Sequence, residues 1–179
     1  MEEWHIPGAA VGIVQDGEVI FAEGFGVTDC NTGQAVTADT QFSIGSSTKS
    51  FTTMALGLLV DEGLVDSDSP LRTLMPEFRM SDSGASERVC LRDMACHRTG
   101  LPRYDLMLFN PVFTRKDILD RLRYIKPTKE LRASMQYNNL MFAAMSDTIR
   151  RVSGLTWEEF VRLRLLTPLG MTNSSFDCD

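Results

Sequence analysis

Two β-prone runs, Ala9-Ala10-Val11-Gly12-Ile13-Val14 and Val19-Ile20-Phe21-Ala22-Glu23-Gly24-Phe25, flank Gln15-Asp16-Gly17-Glu18. An Asp-Gly step between such runs is a strong hairpin signal, so the chain opens as two antiparallel strands. A lone two-stranded hairpin is marginal in water. Whatever follows must therefore supply further strands or a covering helix. Gly24-Phe25-Gly26 is a GxG with no phosphate loop around it and reads as the turn at the strand end. Thr28 to Gln41 reads as a loop.

The rest of the chain is helical in pattern. Ser46 to Glu62 carries Phe51, Met54, Ala55, Leu58 and Leu59 at helical spacing and stops at Gly63, which predicts an amphipathic helix with Ser46 at its start. Pro70 and Pro76 break the chain, and a short helix is expected over Leu91 to Cys96 before His97-Arg98-Thr99-Gly100-Leu101-Pro102 turns it. Thr114-Arg115-Lys116-Asp117 has the form of a helix start, with Ile118, Leu119, Leu122 and Ile125 on one face. A further helix covers Leu140 to Val152, and the capping box Thr156-Trp157-Glu158-Glu159 opens another that ends before Pro168. Met135, Met141 and Met145 sit near helical spacing and read as packing residues. Strands first and helices after mean α+β, one domain over residues 1–179 with no repeat or linker.

Composition narrows the partners. With 43% hydrophobic and 23% charged residues the chain can bury a core. A net charge of −6 with scattered arginines leaves no basic face for nucleic acid. No apolar run approaches the ~20 residues of a membrane span. Met1-Glu2-Glu3-Trp4-His5 lacks the features of a signal peptide, so a cytoplasmic location is the default expectation. Cys30, Cys90, Cys96 and Cys178 contain no CxxC pair and read as free thiols. Cys90, Cys96 and His97 fit no usual zinc spacing, so no metal and no cofactor are expected.

Ser46-Ser47-Thr48-Lys49 places a hydroxyl and an amine three residues apart at a helix start, where positions i and i+3 share a face. A serine hydroxyl is a weak nucleophile until a neighbouring base takes its proton, and a helix start offers backbone N–H groups to a developing oxyanion. Ser-x-x-Lys also arises by chance, as a helix cap followed by a solvated lysine. The surrounding words decide between these readings. Ile6-Pro7-Gly8-Ala9-Ala10-Val11, Cys96-His97-Arg98-Thr99-Gly100-Leu101-Pro102, Tyr137-Asn138-Asn139 and Pro168-Leu169-Gly170-Met171 stand in one order along the chain. Together with Ser46 and Lys49 they resemble the β-lactamase and penicillin-binding-protein superfamily, in its class C β-lactamase, D-aminopeptidase and esterase branch.

The resemblance implies a β-lactamase/transpeptidase-like fold and a two-step acyl transfer on a small-molecule ester, amide or β-lactam. Ser46 would be the nucleophile, Lys49 the motif lysine and Tyr137 the proton shuttle, a role for which a tyrosine needs positive charge nearby. Asn139 would orient the lysine and the substrate amide. His97, the obvious base in a Ser-His scheme, falls in a structural turn, and Cys90 stands where threonine or serine would cap a helix. The family's third motif, a Lys-Thr-Gly or His-x-Gly strand, has no match after Asn139, and the C-terminal strands are expected to be missing. Residues 1–179 alone are accordingly expected to hydrolyse little, and the unpaired hairpin edge to invite self-association. A non-catalytic relative, serving as a binding module or persisting as a gene remnant, is the alternative.

Overall fold

The computed structural model describes residues 1–108, 110 and 112–176; Cys178 lies outside them. Contacts divide the chain into two compact units, residues 1–44 with the segment from Thr172, and Gly45–Met171. Together they hold a small antiparallel sheet and several helices, an α+β content of the β-lactamase/transpeptidase-like kind.

In the first unit, strand β1 (Gly8–Gln15) pairs antiparallel with β2 (Glu18–Asp29), from Gly8↔Gly26 to Gln15↔Glu18, with a register slip between Ile13 and Val14. Asp16 at φ 53 and Gly17 at φ 85 form the turn between them. Positive φ at both central residues is what a type I′ hairpin demands, and aspartate with glycine supplies it at low cost.

Two expectations are corrected here. Gly24-Phe25-Gly26 lies inside β2 rather than at a strand end, because β2 runs on to Asp29. Glycine stands there for lack of room. A Cβ at Gly24 would lie 2.4 Å from the Val36 carbonyl oxygen, and one at Gly26 would lie 2.1 Å from that of Pro7. Within the expected loop, a third strand β3 (Gln34–Ala35) pairs with β2 through Val27↔Ala35 and Asp29↔Gln34. The chain turns back because the Asp29 carboxylate accepts the Asn31 N–H at 2.7 Å and the Asp29 carbonyl accepts that of Gly33 at 2.9 Å. The segment from Thr172 belongs to this unit through side chains. Gln41 Nε2 donates to the Asn173 carbonyl at 2.8 Å, and Asn173 Nδ2 donates to that of Asp39 at 2.6 Å.

The second unit is helical: α1 (Thr48–Asp61), α2 (Ser83–Arg88), α3 (Leu91–Ala95), α4 (Arg115–Arg121), α5 (Leu140–Ser153) and α6 (Trp157–Val161). Its central post is α5, against which α1, α3, α4 and α6 all pack. The apolar stripe of α5, Leu140, Met141, Ala144, Met145 and Ile149, is wholly buried. Each large side chain there contributes roughly 1.5–3 kcal/mol relative to exposure. One buried polar contact accompanies this packing, Trp157 Nε1 donating to Thr52 Oγ1 at 3.1 Å between α6 and α1.

The caps read from the sequence are present. Asp117 N–H donates to Thr114 Oγ1 at 3.2 Å while Thr114 N–H donates to the Asp117 carboxylate at 2.9 Å, and Thr156 and Glu159 repeat the exchange at 3.2 and 2.8 Å. Such caps are worth ~1 kcal/mol each. Past α6 the chain passes into a π-helical turn, Arg162–Leu166, ahead of Pro168.

Helix α2 was not expected, since Ser83-Gly84-Ala85-Ser86-Glu87-Arg88 offers no apolar stripe; Asp82 starts it by accepting the Ala85 N–H at 3.0 Å. Met135 is a further correction. It is exposed, whereas Met141 and Met145 are buried, because it precedes α5 in non-helical backbone and shares no helical face with them. Among the described residues no helix is long and apolar enough to cross a membrane.

Candidate active site

The chain enters α1 through a 3₁₀ turn, Gly45–Ser47, so Ser46 precedes the regular helix by two residues and stands exposed. Lys49 lies one turn on, and its Nζ donates to Ser46 Oγ at 3.2 Å, as the i, i+3 spacing requires. Tyr137 Oη, far along the chain, donates to the same oxygen at 2.6 Å. A residue one turn on and another 91 positions on thus meet at the Ser46 hydroxyl, with Lys49 Nζ also lying 4.7 Å from the Tyr137 ring centroid.

The segment carrying Tyr137 is tied on both sides to the His97–Pro102 turn. Gln136 N–H donates to the His97 carbonyl at 2.7 Å, and Asn138 N–H donates to His97 Nδ1 at 3.1 Å. Burial first and the Lys49 charge second hold His97 below its ordinary pKa, so its imidazole is a neutral acceptor for that bond. His97 is therefore committed to Asn138, and its ring packs 4.4 Å from that of Tyr137. Gly100 adopts φ +80 in the same turn, and a Cβ there would meet the Lys129 carbonyl oxygen at 2.1 Å. No other residue fits this crossing without displacing the backbone at Lys129 and Glu130.

Tied to the turn is an ion cluster built on one buried carboxylate with part-exposed arginines. The Asp93 side chain has no solvent exposure and accepts from Arg98 Nε at 2.7 Å, from Arg132 Nε and Nη2 at 2.9 Å each, and from the Cys90 N–H at 3.1 Å. Burial pushes its carboxyl up, but the hydrogen bonds from Arg132, Cys90 and Arg98 outweigh that and hold it at about 2. The Cys90 thiol also donates to this carboxylate, at 3.2 Å, which explains how a cysteine serves where a hydroxyl residue would stand. Cys30 and Cys96 are free and exposed, Cys90 free and buried.

Asn139 sits half-buried at the start of α5. Its Nδ2 donates to Asp105 Oδ1 at 3.0 Å, and its Oδ1 is buried with no hydrogen-bond partner among the described residues. Tyr137 itself is held below its ordinary pKa by Lys49 first, then by the Ser46 hydroxyl, with a smaller contribution from the Arg103 charge. Arg103 lies 5.2 Å from the Tyr137 ring centroid.

Sequence reasoning missed Asn138. It is wholly buried, donates from Nδ2 to the Leu101 and Pro102 carbonyls at 3.3 and 2.9 Å, and accepts the Met141 N–H at 3.1 Å. Only the last bond, an i, i+3 contact at a helix start, had a sequence signal, an asparagine just before an apolar run. Arg103 and Asp105 were missed as well: they pair with each other two residues apart, but what ties them to the site, the Tyr137 ring and Asn139, lies 34 positions on.

Comparison with known proteins identifies the family. The family model described as Beta-lactamase matches residues 1–179. The chain belongs to the beta-lactamase family. Among curated members, the "Unguisins hydrolase ungD'" of Aspergillus campestris (strain IBT 28561) is 34% identical over 97% of this chain and 34% of its own length. Among solved members, the octameric penicillin-binding protein homologue from Pyrococcus abyssi is 28% identical with a TM-score of 0.87, over 96% of this chain and 41% of that one. The D-amino acid amidase from Ochrobactrum anthropi SV3, complexed with L-phenylalanine, is 28% identical with a TM-score of 0.81, over 96% and 47%. This family member thus spans between a third and a half of the length of these three relatives, which include a hydrolase and an amidase.

Proposed function

We propose that this chain supplies the nucleophile and the proton-transfer groups of a serine-dependent acyl hydrolase or transesterase acting on ester, amide or β-lactam substrates. The observation that carries the reading is the meeting of Lys49 Nζ and Tyr137 Oη on Ser46 Oγ, at 3.2 and 2.6 Å. As a phenolate, Tyr137 accepts the Ser46 proton while Oγ forms a bond to the substrate carbonyl carbon. The tetrahedral intermediate collapses as Tyr137 returns that proton to the departing alkoxide or amine, leaving the acyl group on Ser46. Water, or an alcohol or amine acceptor, then attacks the acyl-enzyme by the reverse sequence, and Ser46 recovers its proton. The Lys49 charge favours the phenolate in both halves.

Asn139 Oδ1 has a part in this scheme. A buried amide oxygen without a partner costs about 1–3 kcal/mol, and a substrate N–H or the Lys49 ammonium donating to it would relieve that cost. The amidase relative makes amides a natural first substrate to try, with esters and β-lactams beside them.

The experiment is turnover of a p-nitrophenyl ester, nitrocefin and a D-amino acid amide by the full-length protein and its Tyr137→Phe variant. Loss of the phenol is expected to lower kcat/KM by ~10²–10⁴ on whichever substrate is accepted, the usual range for losing acid–base assistance. A phenylalanine variant as fast as the parent would remove Tyr137 from the mechanism.

A further inference from the structure

The guanidinium of Arg103 lies over the Tyr137 ring at 5.2 Å from its centroid, within cation–π range. It is fixed there from behind, since Nε donates to Asp105 Oδ2 at 2.9 Å and Nη2 donates to the same oxygen at 2.5 Å. The other carboxylate oxygen, Oδ1, accepts Asn139 Nδ2 at 3.0 Å. Each oxygen of Asp105 therefore has a separate task, one holding the arginine and one the asparagine two residues past Tyr137.

We propose that Arg103 is a positioning residue for Tyr137, braced by Asp105 and Asn139 so that its planar charge stays over the phenol ring. The proposal rests on the reading of Tyr137 as the proton-transfer group and extends it to a residue outside the motifs. A flat guanidinium can stack on a ring while its edge engages a carboxylate; a lysine at this place would lose the stack but keep the positive charge that acts on the phenol. The groups facing Tyr137 are the Lys49 ammonium 4.7 Å from the ring centroid, the neutral His97 ring at 4.4 Å, the Ser46 hydroxyl and Arg103. Arg103 is thus one of two cations at the ring, and the Tyr137 hydroxyl titrates below its ordinary range with Arg103 among the causes. Because the Arg103 side chain is 59% exposed, its replacement removes charge and stacking without opening the core.

The test follows phenolate absorbance against pH in the protein, with Tyr137→Phe as the background to isolate Tyr137 from the other tyrosines. A positive charge stabilises phenolate, so Arg103→Met is expected to raise the Tyr137 pKa by about half to one unit at low salt. The shift should shrink at ~1 M salt, where the Debye length is ~3 Å. Arg103→Lys, which keeps the charge, is expected to restore most of it. In the full-length enzyme the acid limb of the kcat/KM profile should rise with the Arg103→Met shift. An unmoved Tyr137 titration in Arg103→Met would overturn the proposal. So would a shift that Arg103→Lys fails to restore, which would reduce Arg103 to packing. If the titration moves as expected but Tyr137→Phe spares hydrolysis, the base assignment falls and the positioning of the ring stands.

Discussion

On the proposed acyl-transfer reading, replacement of Ser46 by alanine is expected to abolish covalent labelling of the protein by a fluorophosphonate or a β-lactam probe, and to lower any hydrolysis by roughly 10⁵–10⁶-fold. That is the scale seen when a serine nucleophile is removed from a site whose members act as a unit. Two neighbours sharpen the experiment. Ser43 and Ser47 are close in sequence, yet the oxygen that receives both the Lys49 and Tyr137 hydrogen bonds is that of Ser46. Ser43→Ala and Ser47→Ala should therefore keep their labelling. Mass spectrometry of the labelled peptide reads the outcome directly, and label retained in the Ser46→Ala protein would overturn the assignment. Lys49→Ala should fail to acylate as well, because its charge favours the phenolate form of Tyr137.

The second large effect lies at Asp93. Asp93→Ala is expected to destabilise the helical unit by roughly 1–3 kcal/mol, because the buried Cys90 donors are left unpaired while the two arginines, 35% and 46% exposed, regain water. Two arginines, the Cys90 N–H and the Cys90 thiol would lose their acceptor at once. Against a typical total of ~5–15 kcal/mol for a domain, the urea midpoint should fall visibly. The pH dependence has a definite sign. The folded carboxyl titrates at about 2, against ~3.9 for an unfolded aspartate, so the contribution is complete above about pH 5 and is lost progressively as the pH falls through 4 and then through 2, towards about 1. The linkage amounts to about 2–3 kcal/mol over that window. A variant with an unchanged midpoint, or wild-type stability flat between pH 4 and 2, would contradict the account.

What could be read from the sequence was what the chain writes locally. The Asp16-Gly17 turn, the Thr114 and Thr156 caps and the Ser46–Lys49 pair each act over two to three residues, so residue identity and spacing suffice to locate them. Tyr137 was found through a short word in the right order rather than through any local signal, and its approach to Ser46 depends on folding across 91 positions. The errors have the opposite character. Gly24-Phe25-Gly26 was misplaced because what demands glycine there is backbone at Val36 and Pro7, invisible to a window on the strand itself. Helix α2 went unseen because a six-residue helix without an apolar stripe leaves only its Asp82 cap to find. The Asp93–Arg132 pairing spans 39 positions and the Asn139–Asp105 bond 34, beyond the reach of periodicity.

Asn138 changes how the Tyr-x-Asn word should be used. Written with an open middle letter, the pattern treats that position as the one free to vary. In this chain it is the least free of the three, since its side chain fills a buried slot and joins the Leu101 and Pro102 carbonyls to the Met141 N–H. A library built to retune the substrate range by randomising around Tyr137 would, at this position, mostly sample misfolded turns, because few other side chains offer a donor and an acceptor at that length. The middle letter is therefore the one to leave as it is.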